Sequence, residues 1–209
     1  ARGAAAGAAC RAAGGEALSQ PADLRDPAAP AAAVAAILAR YGRLDVAFNN
    51  AGFQEARAPL PAQDLAIYDQ VMETNLRALF LALRAQIPAM AAGGGGAIVN
   101  NASVSGVRNP NAGLALYAAS KAAVLALTRA VAMEHAGQGV RINAVSPGRV
   151  VTPMMLAAGI DPALVAAGLP LGRMGRPEEV AAAVLWLASP AASFVVGHNL
   201  CADGGFLAS

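Results

Sequence analysis

The sequence is poor in cysteine, in aromatic residues and in charge. Of its 209 residues, two are cysteine, 4% are aromatic and 13% are charged. Cys10 and Cys201 stand near opposite ends, outside any CxxC motif or Cys/His cluster, which argues against a disulfide framework and a metal site and favours packed, reduced thiols. The formal net charge of +2 comes from scattered arginines. The absence of a basic run argues against a nucleic-acid partner.

Long apolar runs and a signal-peptide pattern are also missing. No eighteen consecutive residues are strongly apolar, so we expect no membrane span and a soluble, cytoplasmic protein. With 56% hydrophobic residues, the chain has enough apolar side chain for a core. We expect residues 1–209 to form a single domain.

Helical segments alternate with short runs of β-branched residues, a pattern typical of βα units on a parallel sheet. Trp186 is expected in the core. The irregular span 149–176, which includes Met154, Met155, Leu156 and Met174, is interpreted as a substrate lid. The pattern predicts helices over 1–13, 26–41, 64–90, 113–135 and 178–188, and strands over 16–21, 44–48, 97–101, 141–145 and 198–202.

Polar side chains follow four of the predicted strands. They are Asp23, the pair Asn49 and Asn50, Ser103 and Ser146. In open α/β sheets, ligands bind beyond the carboxyl ends of the strands. The sequence therefore predicts a functional site at that edge of the sheet.

Tyr117 and Lys121 lie four residues apart in a predicted helix, so their side chains share one face about a turn apart. Lys121 is the only lysine among fifteen basic residues. An ammonium can shift its proton equilibrium, which a guanidinium cannot do, and a nearby cation favours the phenolate form of a tyrosine. The pair is suited to general acid/base catalysis on a carbonyl or hydroxyl group.

Five motifs together resemble the short-chain dehydrogenase/reductase family, in its order and nearly at its spacing. The resemblance extends from Gly14 to Gly205, almost the whole chain. The motifs are Asn49-Asn50-Ala51-Gly52, Asn75 within Met72-Glu73-Thr74-Asn75, Ser103-Val104-Ser105-Gly106, Tyr117 to Lys121, and Arg141 to Gly148.

The resemblance implies an oxidoreductase that transfers a hydride between NAD or NADP and a secondary alcohol or ketone. It implies that Tyr117 exchanges a proton with the substrate oxygen, while Lys121 binds the nicotinamide ribose and lowers the tyrosine pKa. Ser103 would hydrogen-bond the substrate oxygen. Asn75 would hold a helix kink and a water of the proton relay.

Further cofactor contacts are implied for Asp23 and Leu24 at the adenine, Asn50 at the ribose, and Pro147, Val150 and Thr152 near the nicotinamide. The substrate serine is open between Ser103 and Ser105. The S-x-x-G register favours Ser103, although its spacing of 14 residues to Tyr117 is about one longer than expected. The resemblance also implies a homo-oligomer, a dimer or tetramer, packed through the helices that carry Asn75 and Tyr117.

One part of the family pattern is missing. The family begins with a strand, a glycine-rich TGxxxGxG turn, a helix and a second strand, and the sequence contains none of these. The implied fold is therefore a Rossmann-like, doubly wound parallel sheet that lacks its first βαβ portion. We expect a fragment or truncated copy that binds nicotinamide nucleotides poorly by itself. The alternative is a catalytically inactive remnant or interaction domain.

Overall fold

The computed structural model describes residues 2–110, 112–152, 155 and 161–209. Helices and strands alternate along the chain, as the sequence predicts. The elements are α1 Arg2–Ala12, α2 Ala29–Tyr41, β1 Val46–Asn49, α3 Leu65–Met72, a π-helical turn Glu73–Arg77, α4 Ala78–Ala92, β2 Gly96–Asn101, α5 Ala115–His135, β3 Val140–Pro147, α6 Pro162–Ala167, α7 Pro177–Ala188 and β4 Asn199–Ala202.

The four strands form one sheet in the order β1-β2-β3-β4, and every neighbouring pair is parallel. Ile98 of β2 pairs with Ile142 of β3, and Val99 with Asn143. Parallel order brings the carboxyl ends of all four strands to one edge. The predicted α/β class and Rossmann-like parallel sheet are confirmed.

Helix ends follow the local signals in the sequence. The Asp64 side chain accepts a hydrogen bond from the Ala66 N–H and caps the start of α3. Gly42 ends α2 with a φ of 78°, and its N–H donates to the Leu38 carbonyl. Because a side chain is strained at positive φ, glycine suits this C-terminal cap.

Apolar side chains cover both faces of the sheet. On one face, Ile98 and Ile142 pack with residues of α2, α4 and α5. On the other face, Val99 and Val145 pack with Val184 and Leu187 of α7. Successive residues of β2 point to opposite faces of the sheet. The same strand therefore contributes side chains to the apolar clusters on both faces.

Three sequence-based expectations are wrong. Residues 16–21 form no strand, because this polar segment has no strand beside it to complete a ladder. Trp186 is 42% exposed, whereas the neighbouring Leu187 is fully buried. Both Cys10 and Cys201 are exposed rather than packed.

The outer edge of β1 is open. Among the described residues, no strand pairs with β1 on the side away from β2. Val46 and Phe48 on this strand are 48% and 42% exposed. Unpaired backbone beside exposed apolar side chains is a template for a further strand.

By length and composition alone, residues 115–138 could cross a membrane. In the fold, α5 packs on the sheet, and its buried side chains include Ser120, Lys121 and Thr128. It is thus a core helix in this structure.

Candidate active site

Asn75 lies in the π-helical turn between α3 and α4. Its Oδ1 accepts the Phe53 N–H at 2.7 Å, and its Nδ2 donates to the Phe53 carbonyl at 2.8 Å and to Ser120 Oγ at 2.9 Å. Single π turns inside α-helices are often found at functional sites. The helix irregularity expected at Asn75 is present, and this side chain joins the loop after β1 to α5.

Ser103 follows β2 and lies against α5. Its Oγ accepts the Ser105 N–H at 3.1 Å, and its hydroxyl acts on the Tyr117 hydroxyl, whose pKa it lowers. Gly106 permits this approach, because a Cβ at Gly106 would lie 2.6 Å from the backbone of Lys121. Of the two candidate serines, the structure brings Ser103 to the tyrosine.

The pKa of Tyr117 lies above its ordinary value. Burial raises it most, the hydrogen bond from Ser103 lowers it, the Glu55 charge raises it, and the Arg149 charge lowers it. The expectation of a lowered tyrosine pKa is therefore wrong for this chain: burial outweighs the favourable charges.

Lys121 is 3% exposed, and its Nζ donates to the Asn101 carbonyl at 2.7 Å. Nζ lies 5.7 Å from the centre of the Tyr117 ring. Burial lowers the pKa of Lys121 from 10.5 to about 8. A lysine with such a pKa can change its protonation state near neutral pH.

Glu55 is a site residue that sequence reasoning missed. It is 2% exposed, and its Oε1 accepts the Tyr117 N–H at 3.0 Å at the start of α5. Its Oε2 is buried without a hydrogen-bond partner. The one signal in the sequence was an acidic residue three positions after the Asn50-Ala51-Gly52 turn, which alone does not reveal a contact 62 residues away.

Beside Lys121 is the region where a nicotinamide nucleotide would bind. Asn50 Oδ1 accepts from Asn101 Nδ2 at 2.7 Å, while Asn101 Oδ1 is buried without a partner. A Cβ at Gly52 would lie 3.4 Å from Lys121 Nζ, so glycine keeps this space open. A cavity of about 470 Å³ extends from here to Leu24 along the open edge of β1. The free amide oxygen, the ammonium and the open space suit the hydroxyl-rich ribose of a nucleotide.

The adenine end is less complete. Leu24 lines the cavity with Asn50, as expected for two cofactor contacts. Asp23 is instead paired with Arg25 at 2.8 Å on the surface, and this hydrogen-bonded pair lowers the Asp23 pKa to about 2. Among the described residues, no glycine-rich turn follows a strand on this side of β1.

The remaining predicted contacts follow β3. Pro147 ends the strand, Val150 forms an isolated parallel bridge with Gly175, and Thr152 Oγ1 accepts the Met155 N–H at 3.3 Å. All three positions lie at the carboxyl end of the sheet. Of the expected lid, Met154 and Leu156 lie outside the described residues, whereas Met174 is buried.

Comparison with known proteins decides the family. A family model described as "Enoyl-(Acyl carrier protein) reductase" matches residues 2–207. The short-chain type dehydrogenase/reductase from Mycobacterium marinum superposes with a TM-score of 0.93 at 34% identity, over 98% of this chain and 81% of that one. The chain belongs to the short-chain dehydrogenase/reductase family.

Other members of the short-chain dehydrogenase/reductase family also resemble this chain over most of its length. The cis-4-hydroxycyclohexanecarboxylate dehydrogenase of Sinomonas cyclohexanicum is 43% identical, over 96% of this chain and 80% of that protein. The cyclohexanol dehydrogenase of Acinetobacter sp. strain SE19 is 38% identical, over 92% of this chain and 76% of that protein. A gluconate 5-dehydrogenase from Burkholderia cenocepacia J2315, in complex with NADP and tartrate, superposes with a TM-score of 0.91 at 33% identity. The superposition covers 99% of this chain and 81% of that one. The chain is thus an NAD(P)-dependent oxidoreductase by family.

Proposed function

We propose that this enzyme interconverts a secondary alcohol and a ketone, with Tyr117 as the general acid/base. The observation that carries the proposal is the placement of the Lys121 ammonium 5.7 Å from the centre of the Tyr117 ring, with the Ser103 hydroxyl acting on the tyrosine from the end of β2. Asn75 braces the same helix through Ser120. The four residues converge on one edge of the sheet from three segments of the chain.

Each side chain has a defined part in the chemistry. A bound nicotinamide supplies the hydride acceptor or donor. Ser103 positions the substrate oxygen, and Tyr117 takes its proton during oxidation and returns it during reduction, so the proton count balances in both directions. Lys121 holds a positive charge close to the tyrosine ring and can also donate to ribose hydroxyls.

Two relatives support a narrower substrate class. They are named for six-membered ring alcohols, cyclohexanol and cis-4-hydroxycyclohexanecarboxylate. We propose a cyclic secondary alcohol as the substrate of this enzyme.

The test is Tyr117→Phe in the complete protein. Loss of the hydroxyl removes the proton donor and acceptor, so turnover of a cyclic alcohol should fall by at least about 10²–10⁴-fold. Affinity for NAD and NADP, measured by fluorescence titration, should change little. Equal turnover in the variant and the wild type would remove Tyr117 from the mechanism.

The open edge of β1 supports a second proposal: the active enzyme carries a further strand–turn–helix unit that pairs with β1 and completes the cofactor site. We also propose that it works in the cytoplasm as a homo-oligomer built through α4 and α5. If the complete protein shows no turnover with any cyclic alcohol, the inactive remnant or interaction domain is the better description.

A further inference from the structure

Three arginines from separate segments meet beside the catalytic tyrosine. The guanidinium groups of Arg149 and Arg108 lie 5.7 Å and 5.4 Å from the centre of the Phe206 ring. The charge of Arg57, in the loop after β1, acts on Arg149, and the charge of Arg149 acts on Tyr117. We call Arg57, Arg108 and Arg149 the arginine cluster.

Among the described residues, Arg57 and Arg149 have no carboxylate partner. Arg108 donates to the Phe206 and Ser209 oxygens, whereas no residue that the structure describes accepts a hydrogen bond from the Arg149 guanidinium. Arg149 is half-buried, and both burial and the like charge of Arg57 lower its pKa. Arg57 and Arg108 are exposed and solvated, whereas the half-buried Arg149 has lost part of its hydration. An anion at Arg149 would offset this cost of burial.

The other charges around the tyrosine do not neutralise Arg149. Glu55 forms no ion pair with Arg149 among the described residues, and its Oε1 accepts the Tyr117 N–H. Lys121 donates to the Asn101 carbonyl and adds positive charge. The surface that faces a substrate at Tyr117 is therefore positive on the side of Arg149.

We propose that Arg149, assisted by Arg57, is a specificity-determining residue that binds a carboxylate or sulfonate group carried by the alcohol substrate. A planar guanidinium with free donors matches the two oxygens of such a group. Arg149 directly follows Pro147 and Gly148 at the carboxyl end of β3, so the anion would lie on the substrate side of the tyrosine. This inference rests on the proposed reaction at Tyr117. It adds that the alcohol substrate carries a negative charge.

The experiment compares two substrates in the complete protein. Wild type should oxidise cis-4-hydroxycyclohexanecarboxylate with a higher kcat/KM than cyclohexanol. Because the Arg149 charge also lowers the pKa of Tyr117, each variant is compared on both substrates at the pH where its kcat is highest. There Arg149→Gln should lower kcat/KM for the carboxylate about tenfold or more beyond any loss with cyclohexanol, mainly through KM. Arg149→Lys should retain part of the preference, since it keeps the charge without the planar fork.

Arg40→Gln is the matched control. Arg40 also lies 5.7 Å from an aromatic ring centre, that of Tyr41, but on the exposed end of α2. The Arg40→Gln substitution removes one positive charge, as Arg149→Gln does, and should leave the substrate preference unchanged. NADP affinity should also be unaffected by Arg149→Gln, which distinguishes a substrate anion from a cofactor phosphate.

Calorimetric binding of cyclohexanecarboxylate, which has no hydroxyl to oxidise, separates this inference from the proposed reaction. Binding that Arg149→Gln weakens, in an enzyme that oxidises neither alcohol, would support the anion site and contradict the reaction. Equal kcat/KM losses for both substrates in Arg149→Gln, an unchanged preference, or weakened NADP binding would each overturn the anion site.

Discussion

Glu55 shows how one buried side chain can control a residue far away in the sequence. Its carboxylate accepts the Tyr117 N–H at the start of α5, where the helix dipole favours negative charge. The same charge raises the pKa of the Tyr117 hydroxyl, against the lowering effects of Ser103 and Arg149. The acidity of the tyrosine is therefore a balance among groups from several loops, with burial as the largest contribution.

We predict that Glu55→Gln shifts the pH dependence of alcohol oxidation. Glutamine keeps an acceptor for the Tyr117 N–H but removes the negative charge, so the pKa of Tyr117 should fall. Oxidation needs the phenolate, whose fraction rises as pH passes the pKa, so the acidic limb of kcat/KM should move to lower pH. The measurement is kcat/KM for a cyclic alcohol over a pH series.

Glu134→Gln provides the control for this shift. Glu134 is an exposed carboxylate near the far end of α5, so removing its charge should leave the profile in place. An acidic limb that stays unchanged in Glu55→Gln, or that moves equally in both variants, would contradict the role assigned to Glu55.

Among the elements, β1, β2, α4 and α5 are tied together by a buried polar network. Asn49 Nδ2 donates to Asn100 Oδ1 at 2.9 Å, Gln86 Nε2 donates to Asn49 Oδ1 at 2.8 Å, and Asn100 Nδ2 donates to Thr128 Oγ1 at 3.0 Å. Such fully paired networks fix one arrangement of their elements. Of the adjacent pair at the end of β1, Asn49 thus holds three elements together, and both Asn49 and Asn50 line the cavity.

The opposite surfaces of α4 and α5 are apolar and open. Phe80 is 47% exposed, and it lines a groove of about 410 Å³ with Leu76 and Leu127. We predict that Phe80→Glu shifts the protein from oligomer to monomer, because it places a charge in a buried apolar contact. Sedimentation velocity at micromolar concentration measures the shift.

Leu164→Glu on α6 serves as the comparison, since Leu164 is 76% exposed and belongs to another surface. It should leave the sedimentation coefficient unchanged. A wild-type monomer, or an oligomer that persists in Phe80→Glu, would exclude α4 and α5 as the interface.

At the scale of the whole molecule, one edge of the sheet is unpaired, because no described strand lies beside β1 on the side away from β2. The outer edge of β1 carries exposed Val46 and Phe48, and the cavity along it reaches from Leu24 to Asn101. The residues expected to contact the nicotinamide lie together at the carboxyl end of the sheet, whereas the described residues supply no glycine-rich turn for the pyrophosphate. Without phosphate contacts at a helix N-terminus, much of the affinity for a dinucleotide is missing.

We predict that the 209-residue chain by itself binds NAD and NADP with dissociation constants above about 1 mM, a free energy weaker than about 4 kcal/mol. Calorimetric titration of the purified chain measures this. A longer protein that supplies a TGxxxGxG strand, turn and helix should bind at least one of the two nucleotides more tightly. Tight binding by the chain alone would show that the open edge of β1 does not limit the cofactor site.

Much of the architecture could be predicted because its signals are local. Glycines end α2 and α4, Asp64 begins α3, and apolar periodicity marks the central strands, so these boundaries agree with prediction to within a few residues. The segment 16–21 was predicted as a strand but is not, since a strand depends on a partner that no local pattern reveals. Exposure of Trp186 likewise depends on what packs on α7, not on the composition of the helix.

The sequence by itself predicted the parallel α/β class from periodicity. The resemblance of its motifs to the short-chain dehydrogenase/reductase family implied the family and the roles expected of Asn75, Ser103, Tyr117 and Lys121. Only the tertiary structure decided which serine meets the tyrosine, that Glu55 caps the catalytic helix, and that burial raises the pKa of Tyr117 while lowering that of Lys121. It also brought Arg57 and Arg149 together without a carboxylate partner. The physical reason is that pKa values, unpaired atoms and charge clusters depend on distances through space, between residues that lie tens of positions apart along the chain.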